Sequence, residues 1–96
     1  MDDDYIVLDQ YGNYWAGNRW SELPDNAVNL TIQNAAELVM DNLPADILVG
    51  EGDMIKVWLG FEGDSVRIWV DYPDGLRSYQ KRSEAIQSII NHTGSR

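Results

Sequence analysis

The groups that could do chemistry in this chain are sixteen carboxylates, one histidine and no cysteine. The absence of thiols rules out a disulfide framework, a zinc-thiolate centre and a thiol nucleophile. His92 stands between Asn91 and Thr93 near the end of a helical pattern, with no Ser-His-acid or metal-ligand spacing around it. It reads as a solvated cap at a helix C-terminus rather than as a catalytic base. Asp2-Asp3-Asp4 are adjacent carboxylates of a solvated tail. Glu51 and Asp53 resemble pieces of a calcium loop, without its ladder of alternating ligands or its closing glutamate. No G-x-x-x-x-G-K-[ST], G-x-G-x-x-G or H-E-x-x-H motif occurs. The expectation is a non-enzymatic protein with no catalytic residues, no metal and no cofactor.

Two sets of residues point to binding instead. One is acidic: Glu37 and Asp41, four apart on one helix face, with Glu51 and Asp53 in the link that follows. The other is aromatic and basic: Trp58, Arg67, Trp69, Arg77 and Tyr79. Trp, Tyr and Arg dominate interface energetics, so this second set suits a protein-binding hot spot. The formal charge is −9, split unevenly: residues 1–55 hold eleven acids against Arg19, while residues 56–96 hold five acids and six bases. Such a chain repels phosphate and anionic membrane and attracts basic protein surfaces. Direct nucleic-acid binding and a membrane span are not expected, since no apolar run approaches the ~20 residues that spanning needs.

The elements that must position these residues centre on Met54–Tyr72. Period-2 alternation runs through both halves of that stretch, around a Gly63-Asp64 reversal. The register pairs Phe61 with Val66, Leu59 with Ile68, Val57 with Val70 and Ile55 with Tyr72 on one face. The opposite face takes Gly60 with Arg67, Trp58 with Trp69 and Lys56 with Asp71. A three-residue loop after Tyr72 predicts a third strand, Leu76–Gln80, that sets Arg77 opposite Asp71 and Tyr79 opposite Trp69. The outer face would then carry an aromatic band of Trp58, Trp69 and Tyr79.

Upstream, Tyr5–Leu8 and Tyr14–Ala16 form a hairpin around Gly12, and Ala27–Leu30 is a candidate third strand. Thr31 caps a helix from Ile32 to about Asn42, ended by Pro44, and Ala45–Val49 is a strand or a buried connector. Ser83 caps a second helix, Glu84 to His92. At 96 residues this is one domain. The fold class is α+β: an antiparallel sheet of two hairpin-plus-helix units, 5–43 and 54–92, with both short helices on one face. The parallel order of the halves suggests a degenerate duplication.

Tyr5-Ile6-Val7, Gly12-Asn13-Tyr14-Trp15, Trp20, Ala27, Thr31 and Ala36 resemble the hairpin-then-helix pattern of small acidic phage and mobile-element proteins, among them anti-CRISPR and other anti-defence inhibitors. The resemblance covers roughly residues 5–43 and carries no active-site signature. It implies an inhibitor of a basic, nucleic-acid-handling protein, with an acidic surface in place of phosphate, working as a monomer or homodimer in the cytoplasm of the host cell. An immunity protein or antitoxin would share that physics. A self-assembling component with an aromatic homodimer face is the expectation from a different class.

Overall fold

The computed structural model describes residues 4–49 and 52–94. Among them the strands are β1 (Ile6–Asp9), β2 (Tyr14–Trp15), β3 (Trp20–Ser21), β4 (Ala45–Leu48), β5 (Met54–Glu62), β6 (Ser65–Tyr72) and β7 (Gly75–Tyr79). The helices are α1 (Ile32–Asp41) and α2 (Arg82–Gly94). All seven strands form one antiparallel sheet in the order β3-β2-β1-β4-β5-β6-β7. The protein is therefore α+β, with both helices on one face.

Local chemistry accounts for most of the boundaries. The Asp9 carboxylate accepts hydrogen bonds from the backbone N–H groups of Tyr11 and Asn13, both at 2.9 Å, and Gly12 takes φ +82°. That Asx turn reverses the chain between β1 and β2. Thr31 Oγ1 accepts from the Asn34 N–H at 3.1 Å and starts α1 as its N-cap. Ala35, Ala36, Val39 and Met40 of α1 meet Val7, Ala45, Ile47, Ile55, Val57 and Val70 in one core, which Ala85 and Ile89 of α2 complete. Arg82 Nη1 donates to Asp41 Oδ1 at 2.6 Å and links the two helices at the surface.

Alternation fixes the central hairpin as expected. Trp58 pairs with Trp69, Leu59 with Ile68, Gly60 with Arg67 and Phe61 with Val66. Trp58 and Trp69 share the face opposite Val57 and Val70, which are buried against the helices. β4 then joins β5 through Ala45–Val57, Asp46–Lys56, Ile47–Ile55 and Leu48–Met54.

Three expectations need correction. α2 begins at Arg82, and the Lys81 N–H donates to Glu84 Oε1 at 3.3 Å, so Ser83 lies inside the helix and does not cap it. The third N-terminal strand is Trp20–Ser21, not Ala27–Leu30; Leu30 makes only an isolated bridge to Tyr5. Trp15 and Trp20 face each other edge-on, ring centroids 5.1 Å apart, and this aromatic contact anchors the short pair. The β6–β7 loop holds two residues rather than three. Pro73 and Asp74 occupy the centre of the turn, Asp74 with negative φ as in a type I turn, and Gly75 already pairs with Tyr72. One residue of slip turns β7 over. Tyr79 pairs with Ile68 and Arg77 with Val70 on the helix-bearing face, while Leu76 and Ser78 take the outer one.

Both halves run three antiparallel strands and then a helix, but their hands differ. β1 and β5 are both antiparallel to β4 and so point the same way, while their meanders extend in opposite lateral directions. With both helices on the same face, no rotation superposes one half on the other.

Candidate functional site

A sheet with both α-helices on one side leaves its other side without an α-helical layer among the described residues. At the β1–β3 end of that side, however, Leu8 and Ser21 are buried, and Ser21 Oγ accepts from the Leu23 N–H and Asn26 Nδ2. Alternation assigns that outer face Ile6 and Leu8 of β1, Asp46 and Leu48 of β4, and Met54, Lys56, Trp58 and Gly60 of β5. β6 adds Arg67, Trp69 and Asp71. The two indoles are half-buried at its centre. A Cβ placed on Gly60 would come within 3.0 Å of the Trp69 ring and 3.6 Å of Trp58 Cδ1. Trp69 thus lies across Gly60, and the missing side chain is what lets the ring settle on the strand. Arg67 is held beside this pair: its Nε donates to Ser78 Oγ at 2.8 Å and lies 3.1 Å from Glu62 Oε1, and Nη2 donates to the Ser78 carbonyl at 3.3 Å.

Charge on this face alternates along the row Asp46, Lys56, Asp71, as cross-strand pairs favour. Burial raises the Asp46 carboxyl above its ordinary pKa of 3.8, with Lys56 opposing the shift. The folded protein thus holds that proton more tightly than the unfolded chain. The corresponding stability is fully present below 3.8 and is lost as pH rises through the folded value. At neutral pH the ionised carboxylate is a cost. Asp46→Asn is expected to melt at a higher temperature than the wild type at neutral pH, with the gap closing as pH falls below 3.8. Melts of both proteins across that range check this; an unchanged midpoint at neutral pH would mean that Lys56 fully offsets the burial.

The sequence-derived set is divided by the fold. Trp58, Trp69 and Arg67 come together on the outer face. Tyr79 and Arg77 leave them for the helix side, where the Arg77 guanidinium sits 5.2 Å above the Tyr72 ring. Glu37 and Asp41 lie on α1 in the helical layer; Gln33 donates to Glu37 at 3.3 Å, and Asp41 is paired with Arg82. Asp53 is exposed just before β5, and Glu51 lies outside the described residues. Among the described residues, Glu37 and Asp41 on α1 and Asp53 before β5 sit on separate elements.

A second cluster went unread in the sequence. The hydroxyls of Tyr72 and Tyr79 meet Ser88 Oγ at 2.6 and 2.7 Å, and His92 stacks on Tyr72 with ring centroids 4.0 Å apart. His92 Nε2 lies 3.2 Å from Asp74 Oδ1, while its Nδ1 is buried with no hydrogen-bond partner among the described residues. Tyr79, Ser88 and His92, with Arg77 and Glu84, line an open cleft of about 580 Å³ between β7 and α2. Ser88 is held by the two phenols and not by His92, so the cluster locks α2 to the sheet and sets up no nucleophile–base pair.

No family model, curated protein or solved structure matches this chain. The reading of function therefore stands on the geometry of the outer face.

Proposed function

We propose that this protein is a non-enzymatic binding module that neutralises a basic, nucleic-acid-handling protein, and that it grips this partner with the uncovered face of its sheet. The observation that carries the reading is the half-buried Trp58–Trp69 pair at the centre of that face, rimmed by Lys56, Arg67 and Asp71. Interfaces concentrate their energy in such central aromatic anchors, with charged residues at the rim. The formal charge of −9 acts at longer range, where it steers a basic partner into encounter and repels nucleic acid. Separation of Glu37 and Asp41 on α1 from Asp53 in the link before β5 suits steering better than a phosphate-like contact surface. The anti-defence setting rests on the resemblance of residues 5–43 alone. No helix among the described residues is long and apolar enough to cross a membrane.

The test is capture from cell lysate at low and high salt, read by mass spectrometry, followed by titration of the captured protein. Trp69→Ala should cost about 2 kcal/mol or more of binding, roughly thirtyfold in Kd. Reversing Glu37 and Asp53 to Lys should slow association and leave dissociation nearly unchanged. Retention of the partner by both Trp58→Ala and Trp69→Ala, each shown to be folded, would rule out the outer face as the contact.

A further inference from the structure

We propose that the overhanging part of β5, Trp58–Glu62, is a dimerisation edge that pairs antiparallel with the same segment of a second copy of this chain. β4 runs beside β5 only over Met54–Val57, whereas β6 accompanies it to Glu62. Past Val57, the edge of β5 away from β6 has no strand neighbour among the described residues. The hairpin closes at Glu62–Ser65 over a two-residue loop, with Gly63 at φ +63° in the first central position, as a type II′ turn requires. In such a hairpin the closing pair exchanges both of its hydrogen bonds, and the pairs alternate from there. Leu59 and Phe61 therefore direct their N–H and C=O groups to the open edge, a row of unpaired donors and acceptors that fits a strand.

The side chains say the same. Leu59, Phe61 and Val66 point to the helix-bearing face but lie beyond the reach of α1 and α2, at 56%, 74% and 53% exposure. Every other long apolar position on that face of β5 and β6 is buried, Ile68 included at 8%. A second copy fits this edge because the segment is its own antiparallel complement. With Gly60 at the two-fold axis, Leu59 faces Phe61 of the second copy and Phe61 faces its Leu59, each as a doubly hydrogen-bonded pair. Both Val66 side chains flank the same apolar cluster. On the outer face Trp58 meets Glu62 of the second copy, which then lies diagonal to the exposed Lys56. The two-fold axis keeps both outer faces on one side of a continuous sheet. The proposal does not depend on what those faces bind.

The experiment is light scattering with size exclusion on the full chain over a concentration series, in wild type, Leu59→Lys, Phe61→Lys and Trp69→Ala. The expected result is a wild-type mass of twice 10.9 kDa that falls to the monomer in both Lys variants, with circular dichroism unchanged. The chain lacks cysteine, so register can be read separately. Mild oxidation of a mixture of Leu59→Cys and Phe61→Cys proteins should cross-link the two variants to each other in preference to either with itself. A wild type that stays monomeric at every concentration overturns the proposal. So does a dimer that survives both Lys substitutions, or one that Trp69→Ala alone dissolves, or cross-linking with no preference for the mixed pair.

Discussion

Ile47→Ala should cost about 3–5 kcal/mol of folding stability. β4 is the fourth strand of seven, and Ile47 pairs with Val7 on one side and Ile55 on the other. All three are fully buried, and α1 packs over them through Ala35, Ala36 and Val39, also fully buried. Three residues of α1 that are already small or β-branched cannot swing inward to fill the space. The cavity should therefore persist, and its cost adds to the lost transfer energy. Against the 5–15 kcal/mol that holds a typical domain, this is a large share. Urea unfolding should show a lower midpoint at unchanged m. Tyr11→Ala, at a site 79% exposed and away from the β5 edge, is the internal control and should stay within about 0.5 kcal/mol. A loss below ~1 kcal/mol for Ile47→Ala would mean that the helical layer is mobile enough to collapse onto the strand.

Ser88→Ala is the second large effect, expected at about 1–3 kcal/mol. Its Oγ is the shared partner of the Tyr72 and Tyr79 hydroxyls. Tyr79 is half-buried and can turn to water, but Tyr72 is 2% exposed. Without Ser88, the Tyr72 hydroxyl loses that partner in a site where desolvation is already felt. Burial raises its phenol above the ordinary 10.0, an effect that the Ser88 hydrogen bond partly opposes. Because the folded value is the higher one, the associated stability is present below pH 10.0 and falls as pH climbs through the folded value. Tyr72→Phe should remove this part of the alkaline decline. It should also make Ser88→Ala cheaper than it is in the wild type, since one of the two phenols has gone. Additive losses in the double mutant would show that Ser88 acts on Tyr79 alone.

The readable parts of this fold are those where a short-range rule has one solution. Gly63-Asp64 between two alternating runs allows only one register that keeps Val57 and Val70 on the same face as Ile55 and Tyr72. Thr31 before an apolar stripe allows one helix start. Pro73-Asp74-Gly75 has two solutions, a two- or a three-residue loop. The longer one puts Tyr79 and Arg77 on the wrong face, two of the five residues of the aromatic and basic set. At Trp20–Ser21 the strand is too short to alternate at all, so nothing distinguishes it from Ala27–Leu30. Leu59, Phe61 and Val66 show a different limit. Alternation names the face a side chain points to, but how far two helices extend along that face is a tertiary property. The Tyr72–Ser88–His92 cluster joins residues that only the β7 register and the start of α2 bring together.

The sheet order also sets the sequence of events in folding. β5, β6, β7 and α2 each touch a neighbour along the chain, so this block closes only short loops. β4 must reach back past α1 to find β1, and β2 and β3 have no other route into the sheet. The C-terminal meander is the natural nucleus, and the N-terminal strands add to a β4 edge that is already in place. Substitutions at Val57 or Val70 should then slow folding, while those at Val7 chiefly speed unfolding. A protease nick before β4 would release the part of the sheet that arrives last and leave the long hairpin with its helix.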